Sequence, residues 1–131
     1  MSVLDASAFA EALTSAGSVG AAARARLAEP RRWHAPAILP AEVLSAVRGL
    51  LLGGDLTPEH AERARRRLAR SRIALHPLAP LADRVWQLRD NLTVYDAWYV
   101  ALAERLGTAL VTTDARLARS SGLACDVELI G

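Results

Sequence analysis

Short apolar runs recur along this chain, and each is too brief to form a helix. Ser2-Val-Leu4 runs into Asp5, Trp33-His-Ala35 stops before Pro36, and Ala109-Leu-Val-Thr-Thr113 runs into Asp114. Ile73-Ala-Leu75 and Val127 to Ile130 are further runs of the same kind. Runs of this length bounded by breakers read as strands, and the intervening segments are long enough for helices. Strands separated by helices are expected to pair in parallel, through right-handed crossovers. That alternation points to an α/β class over all-α or all-β.

The helix signals agree. Ala6 to Ala16 is closed by Gly17, and the Ala-rich Val19 to Ala28 is stopped by Pro30. Pro40 suits the first turn of a helix that reaches about Leu52 and ends at Gly53-Gly54. Thr57-Pro58-Glu59 combines a capping Thr, a first-turn Pro and an acid at the positive dipole end. Leu78 to Asp90 reads as one helix with Pro80 near its start, and a short helix follows Asp114. Val94 to Leu106 carries the strongest periodicity. Tyr95, Trp98, Tyr99, Leu102 and Leu106 share one face, read here as core, and Gly107 ends the helix.

With 131 residues, 52% of them hydrophobic, the chain suits a single domain spanning 1–131 with a real core. The longest stretch free of charge, Ala12 to Ala23, contains Gly, Ser and Thr. A membrane span needs about 20 mostly apolar residues. The N-terminus shows no targeting pattern, so a soluble, cytoplasmic protein is expected. The single Cys125 excludes an internal disulfide and a multi-cysteine metal site. His34, His60 and His76 are scattered and lack ligand spacing.

Every basic side chain is Arg, and residues 59–72 hold six of the 16 against two Glu. Arg63, Arg66, Arg67 and Arg70 fall along one helical face. Contact with RNA phosphates is one reading of that face. A solvated face braced by Glu59–Arg63 and Glu62–Arg66 pairs is the other.

Four acids stand apart. Asp5 and Asp114 each follow a strand and precede a helix, where ligands of open parallel sheets bind. Either alone reads equally as a helix N-cap. Asp96 lies in a capping-box pattern, Thr93-Val-Tyr-Asp96, and Glu42 lies in the first turn after Pro40. Asp96 and Glu42 sit in apolar company. Several carboxylates buried together resist ionising, and a divalent cation resolves that conflict. Oxygen-only ligands without a His or Cys cluster favour a hard ion, Mg²⁺ or Mn²⁺.

Four motifs in order resemble those of PIN domains, and specifically of VapC-type toxins. They are Val-Leu-Asp5-Ala-Ser7, Leu-Pro40-Ala-Glu42-Val, the stretch from Asn91 through Asp96 to Glu104, and Leu-Val-Thr112-Thr-Asp114. The resemblance runs from near Met1 to Ile130. It implies an α/β/α sandwich around a parallel sheet of order 3-2-1-4-5. It further implies metal-dependent cleavage of RNA using Asp5, Glu42, Asp96 and Asp114, with Ser7, Asn91 and Thr112 in support. A VapB-type antitoxin and a homodimer are the implied protein partners. In one respect the chain departs from the pattern. Many relatives carry a further acid just after the one matching Asp114, whereas Ala115 and Arg116 follow here. Two other functions compete. A phospho-receiver domain would use a Lys, and the chain has none. An inactive PIN-like binding module would not need all four acids.

Overall fold

The computed structural model describes all of residues 1–131. Its five strands are β1 (Ser2–Leu4), β2 (Trp33–Pro36), β3 (Ala74–His76), β4 (Leu110–Thr112) and β5 (Val127–Leu129). All pair in parallel, in the order β3-β2-β1-β4-β5. This is the expected order, with β1 and β4 adjacent at the centre.

Seven α-helices accompany the sheet: α1 (Ala6–Thr14), α2 (Ser18–Leu27), α3 (Leu39–Leu52), α4 (Pro58–Arg70), α5 (Ala82–Gln87), α6 (Val94–Leu106) and α7 (Ala115–Ala118). Helices α1 to α4 pack on one another, while α6 packs on α5 and lies across β1, β2 and β4. The central strands are therefore sealed: Val3, Leu4, Leu110 and Val111 are all buried. Their apolar runs follow from burial on both faces.

Two close approaches shape the helical layers. A Cβ on Gly20 would lie 2.3 Å from the Ser15 carbonyl oxygen, so the α1–α2 corner closes only over glycine. Gly107 adopts φ +64 and caps α6 in the left-handed conformation that glycine tolerates.

The structure corrects four local expectations. The helix expected over Leu78 to Asp90 is a 3-10 turn at Ala79–Leu81 followed by the short α5. Pro80 has no N–H to donate, and Leu81 N–H bonds to Leu78 O in a tighter turn. The aromatic stripe on α6 divides: Tyr99 is buried, Trp98 half-buried and Tyr95 56% exposed. Tyr95 lies in the first turn of α6, where the helix leaves it open to solvent. The scattered histidines are not all apart, because parallel pairing of β2 and β3 brings His34 Nδ1 within 2.9 Å of His76 Nε2. On α4, Glu62 pairs with Arg65 at i,i+3, and neither expected i,i+4 pair forms.

Candidate active site

Asp5 leaves the C-terminal end of β1 and is only 7% exposed. It stands at the N-cap of α1 yet makes no side-chain cap bond. Instead its Oδ2 accepts from the Thr112 hydroxyl at 2.6 Å and the Ser7 hydroxyl at 2.7 Å. Each hydroxyl has a single proton. With Asp5 ionised both protons point at Oδ2, so the 3.2 Å contact between the Ser7 and Thr112 oxygens carries none. Those oxygens in turn accept from backbone: Thr113 N–H donates to Ser7 Oγ and Asp114 N–H to Thr112 Oγ1. The turn after β4 is thereby tied to the carboxylate after β1. Burial raises the Asp5 carboxyl above its ordinary range; the two hydroxyls oppose the shift and Asp96 adds to it.

Glu42 enters from the first turn of α3, where Leu39 and Val43 anchor the helix in the core. Tyr99 on α6 donates its hydroxyl to Glu42 Oε1 at 2.8 Å. Burial raises the Glu42 carboxyl, the Tyr99 bond counters it, and the charges of Asp5 and Asp96 raise it further. Burial and the Glu42 acceptor push the Tyr99 phenol strongly upward, so it remains a donor. The sequence had assigned Tyr99 to the core alone. The missed signal is that a buried phenol needs a polar partner.

Asp96 occupies the first turn of α6, whose N-cap Thr93 accepts from Asp96 N–H at 3.1 Å. One half of the expected capping box therefore forms, and the Asp96 carboxylate is near enough for its charge to act on Asp5 and Glu42. Burial raises this carboxyl as well, Asp114 adds to the shift, and Thr93 and Arg116 oppose it.

Asp114 behaves differently. It caps α7, accepting from Arg116 N–H at 2.9 Å and Leu117 N–H at 3.4 Å, and its Oδ2 meets Arg116 Nη2 at 3.0 Å. Burial works to raise its carboxyl, but the Arg116 guanidinium and those two N–H groups outweigh it and hold it below the usual range. Asn91 also lies nearby, donating to Ser121 O at 3.2 Å. Beside Asp96 opens a cleft of about 490 Å³ whose walls include Asn91, Thr93, Asp96 and Arg116.

Asp5, Glu42 and Asp96 thus come from three separate elements; the charge of Asp96 raises the carboxyls of Asp5 and Glu42, Asp5 adds to Glu42, and Asp114 acts on Asp96. No three His, Cys, Asp or Glu side chains gather closely enough here to hold an ion by themselves. The chemistry of the donor set nevertheless fits a hard divalent cation: oxygens only, mutually repelling, and backed by fixed hydroxyls. Arg63, Arg66, Arg67 and Arg70 are not brought to this site. All four are exposed on α4, and Arg63 and Arg67 share a depression with Arg24 and the far end of α1, a helix length of roughly 13 Å from Asp5.

The comparisons with known proteins agree with the architecture. A PIN-domain profile matches residues 2–123. Ribonuclease VapC1 of Mycobacterium tuberculosis is 40% identical over 129 residues, covering 98% of this chain and 96% of the relative. Ribonuclease VapC3 of the same organism is 42% identical over 118 residues, covering 90% and 85%. The crystal structure of Mycobacterium tuberculosis VapC20, a sarcin-ricin loop cleaving toxin, superposes with a TM-score of 0.71 over 95% of this chain and 97% of that one. Its 14% identity bears on the fold alone. The chain belongs to the PIN-domain family and, within it, to the VapC group.

Proposed function

We propose that the protein is an endoribonuclease dependent on Mg²⁺ or Mn²⁺ and acts as the toxin of a toxin–antitoxin pair. The observation that carries this reading is the clustering of acids around the carboxyl end of the sheet: burial makes Asp5, Glu42 and Asp96 each harder to ionise, and the charge of Asp96 adds to the effect at Asp5 and Glu42. The names of the VapC relatives support the choice of RNA as substrate. They also support a VapB-type antitoxin as partner. A homodimer and a cytoplasmic setting accompany this reading. No helix is long and apolar enough to cross a membrane.

Asp5, Asp96 and Asp114 would hold the ion, with Glu42 as a further ligand or as the base for water. The bound ion would supply Lewis acidity toward a phosphate oxygen and a lower pKa for water. Ser7 and Thr112 keep Asp5 oriented, Tyr99 does the same for Glu42, and Asn91 secures the cleft wall through Ser121. Water attack by this route leaves a 5′-phosphate and a 3′-hydroxyl. A 2′,3′-cyclic phosphate product would contradict it.

The test is Asp96→Asn, assayed for RNA cleavage across a Mg²⁺ titration with thermal melting as a control on folding. Cleavage should nearly vanish while the melt stays close to wild type, because Thr93 still caps α6. Cleavage at the wild-type rate would leave Asp96 with only its helix-end role.

A further inference from the structure

The cleft beside Asp96 carries charges of both signs. Asp90, Asp96, Arg89 and Arg116 all line it. Carboxylates alone would repel a polyanion, and guanidiniums alone would repel a cation. Together they suit a cation and a phosphate held at once.

The two arginines are exposed, yet each is tethered. The Arg116 side chain is 79% exposed and is engaged through Nη2 with Asp114, while Nε and Nη1 have no protein partner. Arg89, also lining the cleft, donates through Nη1 to Trp86 O at 2.9 Å, and its guanidinium carbon lies 4.9 Å from the centroid of the Trp86 ring. Trp86 itself is 63% exposed, whereas Trp33 is buried and Trp98 half-buried. A guanidinium already held in place loses less freedom when a phosphate binds, and its remaining N–H groups keep their fork geometry. An exposed indole offers a π-face on which an unpaired base stacks regardless of its identity.

We infer that Arg116 and Arg89 together form a phosphate clamp that positions a single strand of RNA in this cleft, with Trp86 as a base platform beside Arg89. The inference rests on reading the neighbouring acids as an RNA-cleaving site, and it names how that site takes its substrate. Arg116 and Arg89 are positioning residues that place the strand against Asp96. The arginine face of α4, a helix length away, is not needed for this contact.

The clamp is tested by fluorescence anisotropy of a labelled single-stranded RNA oligonucleotide with the full chain in EDTA, where cleavage is blocked. Arg116→Ala and Arg89→Ala should each weaken binding by roughly tenfold and flatten the log–log salt dependence by about 0.7 per lost phosphate contact. Arg116→Lys should recover part of the affinity. The oligonucleotide should quench tryptophan emission in the wild type and not in Trp86→Phe. Arg66→Ala/Arg67→Ala should bind as the wild type does. Wild-type affinity and salt slope in both Arg116→Ala and Arg89→Ala would overturn the clamp, as would failure of the wild type to bind. Adding Mg²⁺ separates the two claims. Cleavage with binding indifferent to Arg116 keeps the nuclease and removes the clamp. Binding that depends on Arg116 without any cleavage keeps the clamp and removes the nuclease.

Discussion

Asp5 and Asp114 leave adjacent parallel strands and each stands immediately before a helix. By local sequence they are equivalents, yet their carboxylates end in opposite states. The helix after Asp5 receives no cap from it, and two hydroxyls hold the buried group away from solvent. The helix after Asp114 takes its carboxylate twice, and Arg116 takes it a third time. One charge is kept poised and the other is already compensated. The difference comes from neighbours: Thr112 from β4 reaches Asp5, whereas Asp114 finds its guanidinium two residues along its own chain. A strand–aspartate–helix pattern therefore marks a place where a charge can be used, and the surroundings decide whether it is.

Removing the charges one at a time breaks the comparison most directly. Asp5→Asn should reduce cleavage by roughly a thousandfold, the scale of losing a principal charge-stabilising group. Asp114→Asn still accepts from both α7 N–H groups and should lose roughly ten- to a hundredfold. Initial rates on one RNA substrate at saturating Mg²⁺ decide it, and equal losses would end the distinction between the two sites.

A smaller effect is expected at the residue that joins them. Thr112 is fully buried, donates to Asp5 and accepts from Asp114 N–H. Thr112→Val keeps the shape and leaves that N–H without its acceptor, which should cost about 1–3 kcal/mol in a denaturant melt. A melt within experimental error of wild type would show that the two turns are not coupled through this hydroxyl.

The smallest effect is the pH signature, which runs in opposite directions at the two sites. Asp5, Glu42 and Asp96 have folded-state pKa values raised by burial. Between the unfolded and folded values the folded chain binds more protons, so the stability of the metal-free protein falls as pH rises through and above the ordinary carboxylate range. Asp114 is depressed, so its stabilisation is full above that range and is lost as pH falls through its folded value. Melting temperatures across pH should show both limbs. Asp114→Asn should remove its share of the acid limb, and saturating Mg²⁺ should lift the limb above the ordinary carboxylate range. An upper limb unchanged by Mg²⁺ would mean that these carboxylates are not relieved by the ion.

Much of the site was legible because its signals are local. Asp5 and Asp114 were flagged by apolar runs that end on an acid, Glu42 by Pro40 before it and Asp96 by the Thr93 cap, signals that read equally as capping until the resemblance to PIN motifs joined the four. Each depends on residues within a few positions, which a linear reading sees. The exposure of Tyr95, the break of the Leu78–Asp90 segment and the partner of Tyr99 were not legible in this way. Tyr95 and Tyr99 share a helical face by periodicity, but only the tertiary packing of α6 buries one and leaves the other exposed. His34 and His76 lie far apart along the chain and meet because β2 and β3 pair side by side.

Strand and helix alternation and the parallel sheet were determined by the sequence alone, because periodicity, breakers and capping act over a few residues, and the four acids stood out as candidates through their motifs. Which carboxylate is buried and poised, which is capped and paired, and which arginines reach the cleft were decided only in three dimensions. Protonation and ion pairing depend on distance through space and on loss of water, and neither quantity is written in the spacing of residues along a chain.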